Sequence, residues 1–136
     1  MISSKTTFLT IDDYSSIRIM IKTQLKEFGF KGEIFEAENV DQAIAVMNEK
    51  QNSETPIQFI ISDWNMPGKS GLDFLKWCRE QTAFKTIPFL MLTTENEQDH
   101  VLDAIKEGAS NYLIKPWSKK SLSEKIAKCW EKHNPA

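Results

Sequence analysis

Phe59-Ile60-Ile61-Ser62-Asp63-Trp64-Asn65-Met66-Pro67-Gly68 is an apolar run that ends in a carboxylate, a carboxamide and a proline-glycine turn. Phe59, Ile60 and Ile61 are apolar without alternation and bounded by turn chemistry, the pattern of a strand buried on both faces of a parallel sheet. Asp63 then stands at the carboxyl end of a central strand. In open α/β sheets that edge forms the ligand crevice. Asp is also a common turn-initiating residue, so the position alone does not define a function. The other acids of the chain do more to define it.

Working outward, short apolar runs alternate with helix-period patterns. Thr7–Ile11 reads as a first strand ending in the pair Asp12-Asp13. Ser15 or Ser16 would cap a helix with Ile17, Met20, Ile21, Leu25 and Phe28 on its inner face, closed by Gly29. Glu33–Ala37 is a weaker second strand. Asn39, with Gln42 three residues on, would cap a second helix facing inward through Val40, Ala43, Ile44 and Met47. After the central strand, Ser70 begins a third helix with Leu72, Leu75 and Cys78 inside. Pro88–Thr93 is a fourth strand; Val101, Leu102 and Ile105 mark a fourth helix stopped by Gly108. Asn111–Lys115 is a fifth strand before Pro116. A last helix is expected to start on a Ser121/Glu124 capping box and to bury Leu122, Ile126, Cys129 and Trp130. Five strands alternating with five helices imply one α/β domain, a parallel sheet covered on both faces with right-handed crossovers.

A chain of 136 residues can bury one good core, and 40% apolar with 26% charged residues is ordinary globular composition. A net charge of −2 with mixed lysines and acids leaves no nucleic-acid footprint, and the apolar runs are too short to span a bilayer. With no leader pattern before the first strand, a cytoplasmic location is expected. Cys78 and Cys129 fall on apolar stripes, as buried free thiols would in a reducing compartment.

Polar residues at strand ends converge on one edge of a parallel sheet: Asp12 and Asp13, Asp63, Thr93 and Thr94, and Lys115. Carboxylates brought together repel and raise each other's pKa unless a cation joins them. Mg²⁺ suits a site with few carboxylates, retained waters and a bridging phosphate. Lys115 offers a fixed charge for phosphate oxygens and Thr93 a hydroxyl donor. Asp63 is then the candidate nucleophile, able to form an aspartyl-phosphate.

Ile11-Asp12-Asp13, Asp63-Trp64-Asn65-Met66-Pro67, Thr93-Thr94-Glu95 and Lys115-Pro116 stand in the order and spacing of the receiver domains of two-component response regulators. The chain resembles most closely the single-domain chemotaxis regulators of the CheY type, with residues 1–136 as a single receiver domain. The resemblance implies a flavodoxin-like sheet of strand order 2-1-3-4-5 and phosphorylation of Asp63 by a histidine kinase (CheA-like). It implies Mg²⁺ held by Asp13, Asp63 and the Asn65 backbone carbonyl, with Asp12 assisting through water. Lys115 and Thr93 would bind the phosphoryl group, and the Lys115-Pro116 peptide would be cis. Tyr112 takes the family's switch-aromatic position, where it turns inward if Thr93 moves; it would otherwise be an edge-strand aromatic that only packs. Asn65 and Glu95 would flank the path of the attacking water and tune dephosphorylation.

The expected output is a changed surface on the fourth helix, fifth strand and fifth helix, read by a flagellar motor switch protein or a phosphatase. A phosphorelay intermediate, passing phosphate to a histidine phosphotransfer protein, is the alternative. A monomer is expected, and an enzyme only toward its own phosphoryl group. Thr94, Trp117 and Ser70 depart from common family residues: the β-branch of Thr94 either narrows access to Asp63 or is harmless, and the departures bear on partner choice more than on chemistry. Trp64 would lie near the metal or at the surface, Trp77 and Trp130 in packing; His100 and His133 would be a helix and a tail residue without chemistry. Lys119, Lys120, Lys125 and Lys128 give the last helix a basic face.

Other folds and chemistries fit less well. A flavodoxin would need a hydroxyl- and glycine-rich loop where Asp12-Asp13 stand. A haloacid-dehalogenase-like phosphatase carries Asp-x-Asp on its first strand, and nucleotide-binding glycine loops are absent.

Overall fold

A computed structural model describes residues 2–94 and 98–134. The chain order is β1 (Phe8–Ile11), α1 (Ser15–Glu27), β2 (Ile34–Ala37), α2 (Val40–Lys50), β3 (Phe59–Asp63), α3 (Gly71–Glu80), β4 (Phe89–Thr94), α4 (Gln98–Lys106), β5 (Asn111–Lys115) and α5 (Lys119–His133). All pairings are parallel, in the order β2-β1-β3-β4-β5. The expected fold class and strand order are therefore observed.

Alternate residues of each inner strand feed opposite faces, which is why those strands are apolar throughout. Phe59 and Ile61 join Phe8, Leu90, Leu92 and Leu113 under α1 and α5, which contribute Ile21, Leu25, Leu122, Ile126 and Cys129. Ile60 joins Leu9, Ile11, Phe89 and Met91 beneath Val40, Ala43 and Met47 of α2 and Phe74, Leu75 and Cys78 of α3. Both cysteines are buried free thiols. Among the described residues no helix is long and apolar enough to cross a membrane.

The caps show where the sequence pattern and the chain diverge. Asn39 caps α2 by accepting from the Gln42 N–H at 2.8 Å, and Ser70 with Asp73 forms a capping box on α3. The α1 cap is not Ser15 or Ser16. Asp12 Oδ1 accepts the Tyr14 N–H at 2.9 Å and turns the chain earlier, so Tyr14 is the N-cap and makes no side-chain cap bond. Nor does α5 begin on Ser121. Ser118 Oγ accepts the Ser121 N–H at 3.1 Å, because the helix starts as soon as the chain clears Pro116. Gly29, at φ +97°, closes α1 as expected.

Two apolar stripes also sit differently. Met20 is exposed, and on α4 Leu102 and Ile105 are 71% and 43% exposed, so neither is an inner-face residue. Ala104, fully buried, takes that place: a small residue lets α4 sit close to the sheet and leaves the larger ones in solvent. Trp130 is half-buried against the α1/α5 core.

Candidate functional site

The site is built from the carboxyl ends of β1, β3, β4 and β5. Beyond β1, the Asp12 N–H donates to the Ala37 carbonyl of β2 at 3.1 Å, and its side chain is fully buried. Asp63 is the last residue of β3, opposite Leu92 of β4 and 4% exposed. Its loop folds back tightly. The Gly71 N–H donates to the Trp64 carbonyl at 2.8 Å, and a Cβ on Gly71 would lie 2.1 Å from the Asp63 carbonyl oxygen. Gly68, at φ +80°, takes the left-handed turn after Pro67. Thr93 is buried at the end of β4, one residue past the partner of Asp63. Lys115 ends β5 opposite Thr94, and its peptide to Pro116 is cis.

Lys115 Nζ donates to Asp63 Oδ1 at 2.7 Å and lies 3.4 Å from Asp12 Oδ2. Carboxylate oxygens of Asp12, Asp13 and Asp63 lie within 4.8 Å of one another. Burial pushes the Asp63 carboxyl up to about 6, against the pull of the Lys115 ammonium. Burial likewise raises Asp12, opposed by its bond from Tyr14 and by Lys115. Burial alone would lower Lys115, but Asp63 and Asp12 outweigh it and raise it. All three shifts have one sense: the pocket favours added positive charge. Asp13 Oδ1 is buried yet has no hydrogen-bond partner among the described residues. A buried carboxylate oxygen left unpaired is costly, and an oxygen-ligated divalent cation is the group that would satisfy it. The three acids thus fit a metal.

An open pocket of about 430 Å³ lies over this cluster, lined by Asp13, Asp63, Asn65, Thr93, Thr94 and Lys115 together with Tyr14, Met66 and Pro67. Of the site residues expected from sequence, Asp13, Asp63, Asn65, Thr93 and Lys115 line this pocket, Asp12 lies buried against Lys115 in the same acidic cluster, and Pro116 only follows Lys115 through the cis peptide; Tyr112 and Glu95 are not among them. Tyr112 is half-buried on β5 with Lys125 Nζ 4.6 Å above its ring. Glu95 lies outside the described residues. Tyr14 and Met66 were not expected on the rim; Tyr14 directly follows the acidic pair, which is the only signal the sequence holds for it.

The remaining candidates have structural places. Trp64 is 6% exposed and belongs to the core, not to the surface. Trp77 packs on Phe74 and Phe84, with ring centroids 6.0 and 5.6 Å apart. Trp117 Nε1 donates to Gln24 Oε1 at 2.9 Å and ties the end of β5 to α1. His133 is the last residue of α5 rather than a tail residue, 2.7 Å from Ser110 Oγ. Burial, with Arg79 and Lys132, lowers its pKa. The His100 side chain lies outside the described residues.

Comparison with known proteins decides the family. The family model of the response regulator receiver domain matches residues 8–127. This chain belongs to the receiver family. Its members are signalling proteins rather than conventional enzymes. The receiver is 38% identical over 118 residues to the chemotaxis protein CheY1 of Helicobacter pylori, covering 87% of this chain and 91% of the relative. It is 34% identical over 126 residues to the chemotaxis protein CheY of Pseudomonas aeruginosa, covering 93% and 97%. The high-resolution structure of the Vibrio cholerae chemotaxis response regulator CheY4 superposes with a TM-score of 0.77 at 32% identity, covering 91% of the receiver and 98% of that chain.

Proposed function

We propose that this receiver, residues 1–136 taken as one domain, is a cytoplasmic, monomeric phosphorylation switch in chemotaxis. Asp63 accepts a phosphoryl group from a histidine kinase, and the surface of α4, β5 and α5 then changes its affinity for a protein partner. The observation that carries this reading is a buried carboxylate, Asp63, 2.7 Å from a lysine ammonium and beside two further acids on an open pocket.

With a pKa of about 6, Asp63 is mainly ionised at neutral pH and presents a carboxylate oxygen as nucleophile. Asp13, Asp63 and the Asn65 backbone carbonyl would hold Mg²⁺, with Asp12 acting through water. When bound, Mg²⁺ supplies the charge that neutralises the acids and the phosphoryl oxygens. As the oxygen-phosphorus bond to Asp63 forms, the phosphorus-nitrogen bond of the kinase phosphohistidine breaks, and the departing imidazole takes a proton from solvent. Lys115 transfers its hydrogen bond from Asp63 to a phosphoryl oxygen, and the Thr93 hydroxyl donates to another. Hydrolysis reverses the gain: water attacks phosphorus, the bond to Asp63 breaks, and inorganic phosphate leaves. Asn65, on the pocket wall, borders that path and sets its rate. Movement of Thr93 lets Tyr112 turn inward, away from Lys125, and alters the face carrying Leu102 and Ile105.

The relatives' part in chemotaxis supports a flagellar motor switch protein or a phosphatase as the output partner. Labelled phosphoryl transfer from an autophosphorylated histidine kinase, followed by pull-down with the phosphorylated receiver, tests the reading. Transfer to wild type but not to Asp63→Asn, abolished by EDTA, is expected. Capture of a histidine phosphotransfer protein instead of a motor or phosphatase partner would replace the chemotaxis output with a phosphorelay.

A further inference from the structure

Arg18 lies on α1, outside the pocket and only 15% exposed. Its Nη1 donates to the backbone carbonyl of Asp12 at 2.6 Å, and its Nε donates to Glu36 Oε1 at 3.2 Å. Glu36 stands on the edge strand β2, paired in register with Thr10 of β1, and its other oxygen is 4.0 Å from Lys22 Nζ. The guanidinium therefore bridges the edge strand and the turn that follows β1. A guanidinium fork with two separate acceptors is held in orientation more tightly than a single ammonium could be.

The carbonyl it holds belongs to the peptide that joins Asp12 to Asp13. Rotation of that peptide swings the two carboxylates relative to each other. The Asp12 N–H is fixed by Ala37 of β2 and its side chain by the Tyr14 N–H and Lys115, so the Arg18 bond immobilises the remaining polar group of Asp12. The cation that acts on the charge of Asp12 and Asp63 is Lys115, which leaves Arg18 with a geometric part.

We infer that Arg18 is a positioning residue for the cation site: it fixes the Asp12-Asp13 peptide so that both carboxylates converge with Asp63 on one divalent ion. Glu36 keeps the guanidinium turned to the carbonyl and out of the acidic pocket, where it would act as an internal counter-ion in competition with the metal. Edge strand β2 is thereby coupled to metal affinity although it contributes no ligand. This inference rests on the reading that these acids hold Mg²⁺.

The test is an Mg²⁺ titration followed by amide NMR shifts in wild type, Arg18→Met, Arg18→Lys and Glu36→Ala, with urea stability of each measured in EDTA. Arg18→Met is expected to weaken Mg²⁺ binding roughly tenfold, the lower end of what losing such an outer partner costs, with Arg18→Lys and Glu36→Ala between it and wild type. At saturating Mg²⁺ the phosphorylation rate should stay within about twofold of wild type, a loss in binding without a loss in the chemical step. A purely structural role would lower urea stability and leave the Mg²⁺ dissociation constant where it was. Unchanged Mg²⁺ affinity in Arg18→Met, or in Glu36→Ala should Arg18→Met not fold, overturns the inference while the metal site stands. Absence of saturable Mg²⁺ shifts in wild type overturns the metal site itself.

Discussion

Replacing Asp63 with Asn should stabilise the metal-free receiver, and the gain should appear only above mildly acidic pH. The Asp63 carboxyl stands at about 6 in the fold against an ordinary value of 3.8, because burial outweighs its bond from Lys115. A folded pKa above the unfolded one means that the folded state binds the extra proton between those values, so stability falls as pH rises through that window. The gap of about 2.2 in pH, at roughly 1.4 kcal/mol per unit, is about 3 kcal/mol. Asn is uncharged and similar in shape to the protonated acid. Wild type and Asp63→Asn should therefore be equally stable below pH of about 4, diverge as pH rises, and differ by about 3 kcal/mol above pH of about 7. Urea unfolding in EDTA across that range measures it. With a urea dependence of about 1 to 3 kcal/mol per molar, the midpoint of the mutant should lie about 1 to 3 M higher at neutral pH. Mg²⁺ at a hundredfold over its dissociation constant should return about 2.7 kcal/mol to wild type and nearly close the gap. A difference independent of pH, or a wild type more stable than the mutant at neutral pH without metal, would refute the reasoning.

Other outcomes follow from single positions. Gly71→Ala places a Cβ 2.1 Å from the Asp63 carbonyl oxygen, a backbone atom that cannot yield, so thermal or urea unfolding should show a loss of at least about 2 kcal/mol. Leu102→Ser and Ile105→Ser, on the exposed side of α4, should change stability by no more than about 0.5 kcal/mol while weakening capture of the output partner in pull-downs. Cys78 and Cys129 are fully buried with thiols pushed up to about 12, so a thiol-reactive disulfide reagent should label the native protein only as fast as it unfolds.

The inner sheet was legible because Phe59–Ile61 and Phe89–Leu92 must be apolar on both faces, a pattern that excludes most other placements. The site was legible for a related reason: in a parallel sheet the residues after β1, β3, β4 and β5 share an edge whatever their separation in sequence. What escaped were features settled by competition between equivalent local signals. Ser118 and Ser121 each begin a spacing that can cap a helix, and only the path from Pro116 chooses between them. Leu102 and Ile105 resemble a buried stripe, and Ala104 takes their place because close approach to the sheet favours the smaller side chain. Arg18 carries no pattern of its own, since its two acceptors lie on a backbone carbonyl and on an edge strand distant in sequence.

The most direct measurement is the intact mass of wild type and Asp63→Asn after incubation with acetyl phosphate, each with Mg²⁺ and with EDTA. The account predicts a single phosphoryl adduct on wild type with Mg²⁺, and no adduct on Asp63→Asn or in EDTA. An unmodified wild type under every condition, or an adduct that persists in Asp63→Asn, would contradict Asp63 as the phosphoacceptor.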